Sequence, residues 1–344
     1  MSEQDDVLAR EVTIAAKLEE NGITLRTKSR AVAALDRLVG SFFDLPAAFF
    51  EGVARKKRLK DEIYERLKNA QAQVAEQQIA GSPALGTPLI NDILEDRARK
   101  QANVACVAVE AVDAIKALPP PETDAGAGAR DAAEEEIDED WMNQFTRFAE
   151  DASSERLQQV WGRVLAGEVR KPGSFSRHTL RFISELDKET AENCEFLARH
   201  RIGPWVFKGE MWNSGREFLV SVDLQRLGII EGATGVGGPQ QNFTVDANGH
   251  AAIAGDAWGL LITGTPGATL TLQVFLLTRM GQEVMTLVGG ANEKEELQEI
   301  ANRLDKENVQ AIALGPILKL PDGRVNFSAM QPIWAKDASN SANA

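Results

Sequence analysis

Apolar positions recur every three to four residues along the first part of the chain and give way to short alternating runs beyond about residue 200. Between 28 and 42, Ala31, Ala34, Leu35, Leu38 and Val39 fall on one helical face. Asp44 to Pro46 interrupts. The stretch 47–78 then reads as a long helix whose end, Ala70 to Gln78, is polar almost all round, as in a projecting coiled-coil arm. Gly81 to Pro88, with Ser82, Pro83, Gly86 and Thr87, connects to a further helix over 89–118. Farther on, Trp141, Phe145 and Phe148 share a face, and Ser153 or Ser154 offers an N-cap. Leu157, Val160, Trp161, Val164 and Leu165 form a complete apolar stripe that must pack against a neighbour. Lys171, Pro172 and Gly173 stop that helix; Ser174 or Ser176 caps the next, with Leu180, Ile183 and Leu186 inward, and Asp187 caps another that runs to about His200.

The spacing then changes. Trp205, Phe207 and Trp212 mix with turn residues, and Phe218 to Ile230 predicts a short strand leading into a helix that ends at Gly228. Strands are expected over 242–245, 257–262 and 269–278, the last with Leu270, Leu272 and Val274 alternating. A helix over 292–306, with Asn292 as cap and Glu295 three residues on, precedes a strand over 309–314. The fold class this predicts is α+β: a mainly helical N-terminal domain and central helices, then a small mixed α+β C-terminal domain.

Charge sharpens the division. The segment 119–140, PPPETDAGAGARDAAEEEIDED, holds nine acids against Arg130 alone, a net of -8 within a chain total of -13, and it has little to bury. The low pI therefore belongs largely to a linker, which acts either as a solubilising spacer or as an internal mask for a basic surface. Such a surface lies upstream, where residues 26–68 carry eleven basic side chains against six acids. The expected organisation is a helical domain over 1–118, the acidic linker over 119–140, a central helical region over 141–201, an α+β domain over 202–335 and a disordered tail over 336–344. Two cysteines, Cys106 and Cys194, are too few for a disulfide framework, and no apolar run is long enough to span a bilayer. Met1 to Arg10 is acidic and leads into no signal-peptide core, so a cytoplasmic protein is expected, with the inner face of the membrane as an alternative location.

The region Trp141 to Leu180 contains a compact motif: Leu165, Ala166, Gly167, Glu168, then Pro172, Gly173, Ser174, Phe175, Ser176, then Thr179 and Leu180. In this it resembles an uncharacterised bacterial family, a domain of unknown function, whose members share a helix ending in LAGE, a PGSFS-type turn and a Thr-Leu helix start. Weaker similarity extends through Phe275 to Val284. Where such members often place an arginine before the Thr-Leu pair, this chain has His178, with Arg177 one step earlier. A looser similarity, through the helix, LQxxW and small-residue turn, is to accessory proteins of bacterial abortive infection, which implies a phage-defence setting and no particular activity. Two readings of the motif stay open. In one it is structural, with glycine and proline making the turn and a serine capping; in the other Glu168, Arg170, Lys171 and Arg177 form a polar contact patch for a partner.

No catalytic, cofactor or metal residue is assigned from sequence. His178, His200 and His250 are scattered, neither His-x-x-x-His nor Cys-x-x-Cys occurs, and the glycine-rich 232–242 lacks the Gly-Lys-Ser/Thr end of a phosphate loop. The strongest surface candidate is 41–60: Phe42, Phe43, Phe49 and Phe50, then Arg55, Lys56, Lys57, Arg58 and Lys60. That order suits an anionic membrane surface, aromatic wedge beside basic cluster; it suits nucleic acid poorly because the rings and charges do not interleave, and a helical hairpin is the structural alternative. The sequence thus predicts a non-enzymatic cytoplasmic interaction or regulatory protein that self-associates and binds a protein partner. A membrane-associating effector using 41–60 is one alternative, and an enzyme whose site is not visible in sequence is the other.

Overall fold

Helical spacing becomes helix among the described residues of the first of two compact units, Met1–Ser184 and Glu185–Ala344. The computed structural model describes residues 25–39, 65, 69, 87–117, 136–234, 237–320 and 324–336. In the first unit these form α1 (Leu25–Val39), α2 (Thr87–Ala117), α3 (Glu139–Glu150), α4 (Glu155–Arg170) and α5 (Arg177–Ser184). Ala31, Ala34, Leu35 and Leu38 of α1 are all buried, as their spacing requires. The alanine-rich middle of α2 lets α4 approach closely: a Cβ on Gly162 would lie 2.5 Å from the Glu110 Cβ, so only glycine fits at that crossing. Trp141 stacks on Phe145, and the Trp161 ring meets Phe145 edge-on and Phe148 face-on, which joins α3 to α4. Caps hold the ends. Asp138 accepts the Trp141 N–H at 2.8 Å and Ser154 accepts that of Leu157 at 3.3 Å. At the end of the acidic run Ile137 is buried and Glu139 opens α3.

The second unit begins with α6 (Lys188–Arg199), capped by Asp187 through the Thr190 N–H. It continues through β1 (Arg201–Ile202), β2 (Trp205–Phe207), a 3-10 turn (Glu210–Asn213), α7 (Gly215–Arg226), β3 (Ile230–Glu231), β4 (Gln240–Thr244), β5 (His250–Ala254), β6 (Trp258–Gly264) and β7 (Thr269–Leu277). Then come α8 (Arg279–Met285), α9 (Glu293–Arg303), β8 (Val309–Lys319), β9 (Val325–Phe327) and β10 (Gln331–Ala335). Two antiparallel sheets result. One has the order β1-β2-β7-β3, with β4 also on β7; the other runs β10-β8-β6-β5, with β9 on β8. Leu270, Leu272 and Val274 of β7 point into a common core with Ile262, Ile312 and Leu314 of the other sheet and Leu297 and Ile300 of α9. The α+β class read from the sequence is the class observed.

Several local expectations change. Residues 218–222 belong to α7 and form no strand: Val220, Ser221 and Leu224 make one buried helical face, and β3 starts only at Ile230. Asn292 precedes α9 but its side chain makes no capping bond. The sheets are also larger than expected: β1, β2 and β3 are added to the first, β5, β9 and β10 to the second, and β8 continues to Lys319. The predicted helix over 47–78 lies outside the described residues save for 65 and 69, and the tail from 337 lies outside them too.

Candidate functional site

The LAGE and PGSFS residues form one interlocked turn. Glu168, in the last turn of α4, is 2% exposed, and its two oxygens accept the N–H groups of Gly173 at 2.6 Å and Phe175 at 3.0 Å. A buried carboxylate is tolerated only with such donors. Gly173 adopts φ 80°, the left-handed region that favours glycine, which turns its N–H toward the glutamate. The Phe175 ring packs on Gly167, and its carbonyl accepts the Trp141 indole N–H at 2.7 Å. Ser176 then caps α5 by accepting the Thr179 N–H at 3.2 Å, leaving Leu180 wholly buried.

The four residues read as a contact patch are thereby distributed. Glu168 lies inside the turn. Arg170 is half-buried, burial pushes its guanidinium below the usual pKa, and its carbonyl accepts a bond from Arg30 at 3.3 Å. Lys171 is exposed at the apex. Arg177 reaches Asp138 at 2.9 Å and Asp140 at 3.2 Å on the surface; the bond to Asp138 raises the arginine's pKa, and the Trp141 N–H followed by Arg177 lowers that of Asp138. Residues 42–60, the aromatic and basic segment, lie outside the described residues.

Residues 90–199 match the model of DUF2806, a protein family of unknown function. The matched stretch runs from α2 to the end of α6 and includes the turn around Glu168, whereas Phe275 to Val284 falls outside it. No curated protein and no solved structure matches the chain.

The second unit repeats the buried-carboxylate device beyond the DUF2806 stretch. Glu293, 5% exposed at the start of α9, accepts the N–H groups of Asp256 at 2.5 Å, Ala257 at 2.7 Å and Trp258 at 3.1 Å. This fixes the β5–β6 turn and holds Asp256 between Arg201 at 2.8 Å and Lys319 at 3.1 Å. Burial alone would raise the Asp256 pKa, but these two cations outweigh it and hold the carboxyl below its ordinary range. Beside this network is a cleft of about 290 Å³. One residue earlier in the chain, His200 Nδ1 lies 2.7 Å from Glu296 Oε1, against the rings of Phe196 and Trp212. Cys194 is buried, which pushes its thiol up to about 12 and keeps it protonated.

Sequence spacing could not find these pairs, since Arg201 and Asp256 are 55 residues apart and His200 and Glu296 are 96 apart. Among the described residues no group of three or more His, Cys, Asp or Glu is placed to hold a metal ion, and no helix is long and apolar enough to cross a membrane.

Proposed function

We propose that this chain is a non-enzymatic interaction or regulatory protein whose partner meets the turn between α4 and α5. The supporting observation is the use made of the buried acids: Glu168 and Glu293 are tied to backbone N–H groups, and Glu283 is bonded to the Arg279 Nε at 2.8 Å. Carboxylates so engaged act as clamps that present a fixed surface. On the first unit that surface is the apex at Lys171 and the neighbouring Arg177, both exposed. A photo-crosslinking residue at Lys171 in the full chain is expected to give one discrete adduct in cells, and Arg177→Glu is expected to abolish it. Labelling no greater than from an exposed control position, Glu189, overturns the assignment of this turn. Self-association belongs to the same proposal: light scattering should give a discrete oligomer, and a 37.4 kDa monomer at every concentration removes that part. The resemblance to abortive-infection accessory proteins supports a role in phage defence. Equal plaque numbers with and without the gene, across a panel of phages, overturn that setting.

A further inference from the structure

The cleft beside Arg201 has two chemically different walls. Leu277 and Met285 are apolar and nearly buried, while Arg201, Asp256, Gln282 and Thr286 are polar. At about 290 Å³ it lies at the small end of ligand sites, which run from about 300 to 1,000 Å³. A nucleotide or a long peptide is too large for it.

The polar wall has matched unfilled capacity for both signs of charge. The Arg201 guanidinium, 21% exposed, donates from Nη1 to the Gly203 carbonyl at 3.3 Å and to Asp256 at 2.8 Å, and among the described residues neither its buried Nε nor its Nη2 has an acceptor. Nε is sealed from solvent, so the donor left for a ligand in the cleft is Nη2, and a charge-assisted bond from a guanidinium N–H to a carboxylate is among the stronger hydrogen bonds. Opposite charge is available too. Asp256 is half-exposed and its oxygens have lone pairs beyond those taken by Arg201 and Lys319. Gln282 uses its amide N–H on the Leu277 carbonyl at 3.2 Å, which leaves its amide oxygen as an acceptor at the exposed rim. A multiply charged anion would be opposed by Asp256, and a simple cation by Arg201 and Lys319. A ligand carrying one carboxylate and one ammonium on the same carbon is opposed by neither.

We propose that this cleft binds a free α-amino acid with an apolar side chain. Its carboxylate accepts from Nη2 of Arg201, its ammonium faces Asp256 and the Gln282 amide oxygen, and its side chain packs on Leu277 and Met285. Both charges are needed, because each cancels the repulsion the other half would meet alone. The site is independent of the α4–α5 turn, so its test stands apart from the crosslink at Lys171.

The experiment is calorimetric titration of the full chain with L-leucine, L-valine and L-methionine, and with isovalerate, isoamylamine and inorganic phosphate as single-charge probes. At least one amino acid is expected to bind saturably, with each single-charge probe weaker by about tenfold or more. Arg201→Gln is expected to weaken the amino acid by about tenfold or more. Thr286→Phe, at the exposed rim, should block binding with the unfolding midpoint unchanged, and it decides the matter if Arg201→Gln does not fold. The proposal is overturned by no saturable binding of the three amino acids up to about 10 mM. Isovalerate or phosphate binding as tightly as the amino acid overturns it as well, as does wild-type affinity in Thr286→Phe.

Discussion

Replacing Glu168 by alanine separates a clamp from a surface charge. The substitution removes the acceptor for two turn N–H groups and leaves that of Phe175 buried without a partner. An orphaned buried donor costs about 1–3 kcal/mol, and the partly buried Gly173 N–H adds a smaller amount, so the turn should lose about 2–4 kcal/mol. The readout is hydrogen exchange of the full chain, followed over residues 165–180. If opening of the turn controls exchange, the Gly173 and Phe175 amides should exchange about 30- to 1,000-fold faster than in the wild type. Glu168→Gln keeps the shape and one acceptor oxygen but points an amide N–H at a backbone N–H, so it should fall between the two. An alanine variant whose amides exchange within about threefold of wild type refutes the clamp, because a glutamate that solvent can replace contributes little.

Trp161 is wholly buried between the rings of Phe145 and Phe148, so Trp161→Ala should cost about 3–5 kcal/mol in denaturant unfolding, and an unchanged midpoint contradicts its place in the core. Asp256 has a folded pKa below its unfolded value, so its contribution is present above about pH 4 and disappears as pH falls through the lower folded pKa. The stability gap between wild type and Asp256→Asn should therefore close on acidification, and parallel curves from about pH 2 to 6 refute the ion network. Cys194, held protonated near 12, should resist iodoacetamide at pH 8 until the chain is unfolded; rapid native labelling of that residue contradicts its burial. For the membrane alternative, the full chain should float with anionic liposomes at low salt, more so after Glu134, Glu135 and Glu136 are changed to Gln, and absence of flotation in both forms ends that reading.

What the sequence made legible was local. Ser154, Ser176 and Asp187 cap helices because a small oxygen-bearing side chain before an apolar stripe has few other uses, and the buried face of α4 follows from its spacing. The misreading at 218–222 arose where β-branched Val220 and Val222 resemble a strand, although Val220 and Leu224 share a helical face. β5 escaped because HAAIA is mostly alanine, a weak strand signal that tertiary pairing with β6 overrides. The Arg201 network escaped for a different reason: its members come from β1, the β5–β6 turn and β8, and only the closed sheets bring them together.

The two buried glutamates also show why one residue type can do the same task in opposite electrostatic settings. Glu293 opens α9, where the positive end of the helix dipole favours a carboxylate; Glu168 sits in the last turn of α4, where the dipole opposes it. Glu168 thus depends more heavily on the N–H groups of the turn, and the turn is composed to supply them. Pro172 has no N–H of its own, Gly173 takes the left-handed conformation that delivers one, and Phe175 anchors the second by packing on Gly167 and bonding Trp141. Helix end, carboxylate, turn and the Ser176 cap therefore form one cooperative unit, and its inner polar groups are committed to folding. Its outer edge is different. Among the described residues Arg177 is held there by two exposed aspartates, an arrangement of small stabilising value, so a partner of the kind proposed above would displace them with a carboxylate of its own without disturbing the clamp beneath.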